Sequence, residues 1–466
     1  MRQRILRHPV DGWSDPATAF AALYGATTNA VWLDGGADAV AGMSYIGAGC
    51  EVATASVQHN TVTLAPDGRV LHGTIFDFLR GQPVLAGEAI GAPLGWIGWF
   101  GYELRTQTMP AHGLATTGIR PRVSRYPDAA LVRIDRVVAF DHAARSVQLI
   151  ALGDEWGGEL AYWREAALAT LAGSSSTPIP LPTPTPAPSP DRSALVRWRD
   201  TDEEYLAKVA ACQLAIVEGE AYQLCLTTEV AVDVRPDPLA TWLELRRTSP
   251  SHHGGFLRIG EVSLLSTSPE QFLSLDSAGV LESKPIKGTR PRGDNPADDE
   301  RLRSELAASE KERAENLMIV DLMRNDLGRV CAVGSVSVPS LLQVESYAQV
   351  HQLVSTVQGR LADGLGAVDA IEASFPAGSM TGAPKLRATE ILDALEARPR
   401  GLYSGAFGYV GLDGGLDLAM VIRSIVLDAN GATIGTGGGI TALSVPDEEL
   451  AEMKLKAAAL LRVLGV

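Results

Sequence analysis

Apolar residues recur at strand spacing from Ala130 to Phe140 and again from Ser146 to Leu152, on either side of a polar stretch; the pattern predicts a strand pair. Leu94 to Tyr102 mixes glycine with aromatic residues, a composition suited to close packing. Farther along, Thr201-x-x-Glu204 forms a capping box. It opens an amphipathic helix that runs to about Glu218, with Gly219 as its stop. Tyr222 to Val230 then reads as a strand. Further helices are predicted over Asp298 to Met323, Ala367 to Ser374, Pro384 to Ala397 and Asp447 to Leu464. Strands are predicted over Val262 to Thr267, Ser335 to Leu341, Ala406 to Val410, Leu418 to Val426 and Ala432 to Gly435. Strands and helices are interspersed without strict β–α alternation, which favours an α+β fold over a doubly wound sheet. No internal repeat of solenoid period is present.

One stretch interrupts this pattern. Proline occupies every second position from Pro178 to Pro190, within a low-complexity run that begins at Ser174. Alternating proline favours polyproline II and serves as a semi-rigid spacer. It divides the chain into an N-terminal segment 1–173, a linker 174–192 and a C-terminal segment 193–466. A length of 466 residues suits two to three domains of about 150 residues each.

With 46 % hydrophobic and 20 % charged residues, the chain can bury a large core. A net charge of −15 argues against a nucleic-acid surface, yet leaves room for a small anionic substrate in a local basic pocket. No apolar run of about 18 residues predicts a membrane span. The basic stretch Met1 to Trp13 is not followed by an apolar core of signal-peptide length. Cys50, Cys212, Cys225 and Cys331 form no C-x-x-C pair and read as four buried thiols of a cytoplasmic protein.

Candidate chemistry concentrates in the C-terminal segment. Glu312 and Glu315 lie three apart on one predicted helix, Glu449 and Glu452 three apart on another, so each pair shares a helix face. Either pair alone is more often a solvated face; together, four carboxylates without nearby His or Cys suit magnesium. Lys456, four residues after Glu452, is either an ordinary helix ion pair or a cation beside an anionic substrate; Lys454 lies on the same helix. Gly435-Thr436-Gly437-Gly438-Gly439 reads as a tight turn or as a backbone cradle for an anion. Gly378 to Lys385 is a second glycine-rich turn, whose hydroxyls, Ser379 among them, could hold an anion. Ser283 to Gly293 packs Lys284, Lys287, Arg290 and Arg292 into nine residues broken by two prolines and reads as a rigid basic loop. Like charges would lower the pKa of Lys287 and free its amine as a nucleophile. Glu270, at the end of a predicted strand, is a candidate general acid or base. His351 follows an extended segment; a lone His is more often structural than catalytic.

Taken together, these segments resemble the chorismate-utilising enzymes. The resemblance covers residues 195–466 and rests on Ser283 to Gly293, Glu312 to Gly328, Phe375 to Glu390, Tyr403 to Tyr409 and Gly435 to Lys456, in the family's order. Trp32-Leu33-Asp34 and Gly98 to Leu104 resemble the N-terminal part of the aminating members. The resemblance implies a large two-sheet α/β sandwich of the anthranilate synthase component I type, with a central active-site cleft. It implies Mg2+ held directly by Glu315 and Glu452 and through water by Glu312 and Glu449. The metal would grip the ring carboxylate of chorismate, supported by Gly437, Gly438, Gly439 and Lys456. Tyr403 and Arg423 would hold the enolpyruvyl carboxylate, while Ser379 and His351 would lie near the ring substituents.

Lys287 is the position that separates the members. Pro285-Ile286-Lys287 resembles the aminodeoxychorismate synthase branch, where this lysine is proposed to attack ring C2, with Glu270 as general acid; anthranilate synthases usually read Pro-Ile-Ala there. Members that use water carry a lysine where this chain has Gln223. No Gly-x-Cys-x-Gly elbow is present, so ammonia is expected from a separate glutamine amidotransferase subunit. With no lyase domain following, the expected product is 4-amino-4-deoxychorismate, on the route to p-aminobenzoate and folate. Two other readings remain: anthranilate synthase component I, with His351 as a proton-transfer group, and a catalytically silent scaffold. Val31 to Gly35 stands where anthranilate synthases carry a Leu-Leu-Glu-Ser inhibitor segment, so tryptophan inhibition is not expected, although a ligand pocket could persist.

Overall fold

A computed structural model of the protein describes residues 4–85, 91–109, 122–174, 194–347 and 349–466. The proline run therefore lies outside the described residues.

Two large antiparallel sheets dominate. The first runs in the order Arg4–Val10, Ser146–Gly153, Arg136–Asp141, Met43–Ala48, Ala30–Asp34, His253–Ile259, Val262–Ser268, Ser424–Asp428, Gly431–Ile440, Gln223–Val232, Val196–Trp198. The second runs Ile286–Pro291, Val350–Arg360, Val280–Ser283, Gln271–Leu275, Leu416–Met420, Ala406–Gly411, Gly95–Phe100, Ala129–Ile134, Val52–Ser56, Thr61–Ala65, Arg69–His72. Each sheet passes without a break from strands of the N-terminal segment to strands of the C-terminal one, at Ala30–Asp34 beside His253–Ile259 and at Gly95–Phe100 beside Ala406–Gly411.

The layering follows from strand alternation, which sends successive side chains to opposite faces. Val31 and Leu257 join Ile97, Val132 and Phe407 in a core between the sheets. Trp32 and Phe256, their chain neighbours, face outward and pack with Phe20, Trp242 and Leu460 from covering helices. Trp96 and Phe100 likewise turn outward from the second sheet onto Phe76, Ile319 and Ile371. Because helices cover both outer faces, Gly95–Phe100 is buried at all six positions, which is why it reads as a glycine–aromatic run rather than an alternating strand. The expected two-sheet sandwich of α+β type is the fold observed.

Several local expectations change. Ala130 to Phe140 is two strands in different sheets, meeting at Asp135; only Arg136–Asp141 pairs with Ser146–Gly153. Leu418 to Val426 also changes sheets, between Leu416–Met420 and Ser424–Asp428. Asp298 to Met323 is two helices, Pro296–Ala308 and Glu310–Gly328. Ser309, at φ −64° and ψ 111°, ends the first and caps the second through the amide of Glu312. The glycine run at 435–439 is no turn but part of strand Gly431–Ile440, paired with Gln223–Val232. The basic segment after Pro285 is an edge strand, Ile286–Pro291, rather than a loop. The Thr201–Glu204 capping box forms as expected, and Gly219 follows the helix with φ 81°. Cys212, Cys225 and Cys331 are buried, but Cys50 is exposed. Among the described residues no helix is long and apolar enough to cross a membrane.

Candidate active site

A cavity of about 490 Å³ opens where the two sheets, helix Glu310–Gly328 and helix Pro446–Val463 meet. Glu270, Lys287, Glu312, Glu315, Ser379, Tyr403, Arg423, Gly437, Gly438, Gly439, Glu449, Glu452 and Lys456 all line it. Thus every site residue read from the sequence converges here except His351. Val350 and Gln352 face the cavity, so strand alternation turns His351 away from it. The ring is fully buried, with Nε2 3.0 Å from Asp299 Oδ1 and Nδ1 2.8 Å from Ser346 Oγ. Its expected place near the substrate ring is not where the structure puts it.

The helix spacings work as expected. Glu312 and Glu315 project from one helix, Glu449 and Glu452 from the other, and one cavity receives all four. Burial raises the pKa of Glu315, with Glu312 and Glu449 pushing the same way and Lys287 and Lys311 opposing. Glu449 accepts from Ser444 Oγ at 2.7 Å and lies 3.4 Å from Lys311 Nζ. Lys456 Nζ lies 2.8 Å from Glu452 and donates to the Gly437 carbonyl at 2.8 Å, so the ordinary i,i+4 pair forms inside the cavity. Burial pushes the Glu452 carboxyl up, but Lys456, Lys311 and Lys287 outweigh it and the net shift is downward. Lys454 leaves the site and pairs with Asp202 at 2.6 Å.

Lys311 is a charged cavity residue that the sequence reading missed. Its signal was present: it lies four residues before Glu315, on the same helix face. Cys225 was passed over as well; it lines the cavity, and burial raises the pKa of its thiol.

Arg423 sits at the sheet change. Its backbone is left-handed, φ 50°, and its carbonyl accepts from the amide and hydroxyl of Thr267 at 3.2 and 3.1 Å. Burial lowers the pKa of the guanidinium while Tyr403 and Glu452 hold it up. Tyr403 depends on the glycine strand: a Cβ at Gly435 would stand 2.0 Å from its Cγ. Any larger residue at 435 must displace that ring, an overpacking cost of about 1–3 kcal/mol. Gly288, at φ 80°, leaves room for the Glu312 carboxyl, which a Cβ there would meet at 2.9 Å.

Around Lys287 the electrostatics differ from expectation. Lys284 pairs with Glu282 at 3.2 Å, Arg290 with Glu305 at 3.3 Å, and Arg292 with Asp299 at 2.7 Å. Each basic neighbour thus has its own carboxylate to offset its charge. The carboxylates that feel Lys287 across the cavity are Glu270, Glu315 and Glu452. Burial pushes Glu270 up to about 7, with Lys287 and the Ser379 hydroxyl pulling down. That hydroxyl is buried and lies close enough to Glu270 to stabilise its carboxylate, although its geometry falls short of a standard hydrogen bond.

Two further cavities lie near. One of about 540 Å³ shares Pro269, Thr289, Val350, Gln352, Arg423 and Lys456 with the first. Another, of about 360 Å³, is lined by Leu33, Asp34 and Gly35 together with His253, Tyr409 and Asp417. There Asp34 pairs with Arg246 at 2.8 Å and accepts from Trp32 Nε1 at 3.1 Å.

This arrangement has close counterparts. The chain is 42 % identical to an aminodeoxychorismate synthase of Streptomyces griseus over 99 % of its own length, and spans 64 % of that protein. It is 38 % identical to anthranilate synthase component 1 of Thermus thermophilus, covering 74 % of this chain and 73 % of that one. The crystal structure of anthranilate synthase component I from Streptococcus pneumoniae superposes with a TM-score of 0.74 at 26 % identity, covering 90 % of this chain and 92 % of the other. The match to the chorismate binding enzyme family runs from residue 28 to 462, through both sheets and all four cavity glutamates, and the chain belongs to that family.

Proposed function

We propose that this chain aminates chorismate at C4, as aminodeoxychorismate synthase component I, with magnesium as cofactor and ammonia supplied by a glutamine amidotransferase. The observation that carries the reading is Lys287 sharing a cavity with Glu270, a carboxyl pushed up to about 7 by burial. A nucleophile and an acid that is still half protonated near neutrality are the two groups this amination needs. The more extensive match to an aminodeoxychorismate synthase than to an anthranilate synthase supports the same choice.

The neutral Lys287 amine attacks C2, the ring double bonds shift, and the C4–O bond breaks. Glu270 gives its proton to the departing hydroxyl, which leaves as water. Ammonia then attacks C4, the double bonds shift back, and the C2–N bond breaks to release the amine. The new C4 ammonium returns a proton to Glu270. Tyr403 and Arg423 hold the enolpyruvyl carboxylate, Arg423 through its planar fork.

The carboxylate donors of Glu315, Glu452, Glu312 and Glu449 suit a hard divalent cation. Among the described residues no three acidic, His or Cys side chains converge as a ready ligand set. Lys311 and Lys456 carry the countercharge to Glu449 and Glu452, so magnesium would compete with them. Bound there, it would neutralise the ring carboxylate of chorismate. The turning of His351 out of the cavity disfavours the anthranilate reading, in which that ring would move a proton.

Product analysis with the pure chain, chorismate, magnesium and ammonium should give 4-amino-4-deoxychorismate, and glutamine should not replace ammonium. Fluorescent anthranilate would overturn the assignment, and glutamine use by the pure chain would overturn the separate ammonia source. The pH profile tests Glu270. A carboxyl with a pKa of about 7 is protonated below that pH and loses its proton above it. At constant free ammonia the acid should therefore contribute a limb that falls about tenfold per pH unit above neutrality, read as the ratio of parental to Glu270→Gln turnover because both need the same neutral Lys287 amine. Glu270→Gln should be slow at every pH and lack that limb. A Gln variant that keeps the parental limb excludes Glu270 as the acid.

A further inference from the structure

Cys225, Met380 and Tyr403 belong to three separate stretches of the cavity wall. Behind them lies a buried charged cluster that no step above uses. At its centre Arg400, 4 % exposed, does not line the cavity. Its Nε and Nη2 donate to both oxygens of Glu396 at 2.8 and 2.7 Å. Nη1 donates to the Met380 carbonyl at 2.7 Å and to Ser404 Oγ at 3.3 Å, and Nη2 also to the Cys225 carbonyl at 3.0 Å. All five guanidinium N–H groups are thereby used, and the Tyr102 ring covers one face, its centroid 4.2 Å from Cζ. Glu103, 1 % exposed, comes from the N-terminal segment and accepts from the amides of Arg400 and Gly401 at 2.9 and 3.0 Å.

We propose that Arg400, held by Glu103, is a positioning residue for chorismate: one guanidinium sets the relative placement of the wall segments that carry Cys225, Ser379 and Tyr403. Each of its wall acceptors is in, or next to, a cavity residue. Met380 follows Ser379, and Ser404 follows Tyr403. Ser404 has a left-handed backbone, φ 66°, which a non-glycine residue keeps only when its surroundings hold it. A purely stabilising core could be apolar, since buried ion clusters are often replaceable by hydrophobic packing without loss. An apolar core cannot aim donors at three wall segments at once. A lysine cannot either, because its three donors radiate from one nitrogen rather than a planar fork.

The proposal rests on the reading of this cavity as the chorismate site. Its test is calorimetric titration of chorismate, with magnesium present, into the parent, Arg400→Lys and Glu103→Gln. Arg400→Lys keeps the charge and should weaken chorismate binding about tenfold or more, the scale of a small misplacement of binding groups. Glu103→Gln keeps the shape but turns one acceptor into a donor facing a backbone N–H, and should weaken binding in the same direction by less. In turnover the Michaelis constant for chorismate should rise while that for ammonia stays put. Unchanged chorismate affinity in the folded variants, with only a lower melting temperature, would show that the cluster merely stabilises the fold and overturn the proposal. If Arg400→Lys does not fold, Glu103→Gln decides by the same criterion. A parent that binds chorismate but forms no aminodeoxychorismate would sink the proposed reaction and leave this comparison standing.

Discussion

Lys287→Ala is expected to lower aminodeoxychorismate formation by about a thousandfold or more, within the range seen when a group acting on the reacting atoms is removed. The variant should still bind chorismate, because Arg423, Tyr403 and the four glutamates are untouched. Lys287→Arg should be equally inactive, since a guanidinium stays protonated and is no nucleophile. With the amine gone and the C2 face open, water or ammonia can attack C2 directly, giving slow isochorismate-like or anthranilate-like side products. A second readout comes from Glu270, whose pKa Lys287 holds down. Removing that cation should move the carboxyl farther above about 7, so any residual acid-dependent limb shifts to higher pH. Intact-protein mass spectrometry of the parent, quenched with chorismate but no ammonia, should show an adduct on Lys287. Parental turnover by Lys287→Ala, or an adduct mapped to another lysine, would end the nucleophile assignment.

The second large effect is expected at the carboxylates. Glu315→Gln or Glu452→Gln should cost about a hundredfold or more in activity at fixed magnesium, since even outer-shell changes cost 10–100-fold at metal sites. Glu312→Gln and Glu449→Gln should lose less and recover with added magnesium. The structure adds a stability test with the opposite sign. Glu315 is buried beside Glu312 and Glu449, and its raised pKa means that its ionised form is disfavoured in the folded protein. A neutral glutamine removes that penalty, so without magnesium Glu315→Gln should melt no lower than the parent. Added magnesium should raise the melting temperature of the parent and not that of the variant. A variant that melts lower without metal would refute the burial penalty, and one that keeps the parental magnesium response would refute the ligand role.

What could be read from the sequence was local. Glu312 with Glu315 and Glu449 with Glu452 are paired by helix spacing, and one helix face is enough to aim both members of a pair together. The Thr201–Glu204 box and the Gly219 stop are likewise contacts within a few residues, and both are present as expected. The resemblance of whole segments carried the sandwich fold and the identity of the cavity residues, because it compares residues far apart in the chain as one set.

Tertiary structure decided everything that depends on which face of which sheet a residue meets. Ala130 to Phe140 reads as one strand because hydrophobic periodicity is the same in either sheet; the change at Asp135 is set by partners far along the chain. The same holds at Arg423, whose left-handed backbone aims its guanidinium into the cavity at the point where the chain crosses between sheets. His351 belongs to a segment shared with the family, yet strand alternation placed its neighbours Val350 and Gln352 on the cavity and sent the ring to Asp299. Lys284, Arg290 and Arg292 look like a field of unbalanced charge when read along the chain. In space each meets a carboxylate, two of them on the neighbouring helix Pro296–Ala308. Sequence spacing fixes directions within one element, whereas charge balance and facing are sums over neighbours that only the folded chain brings together.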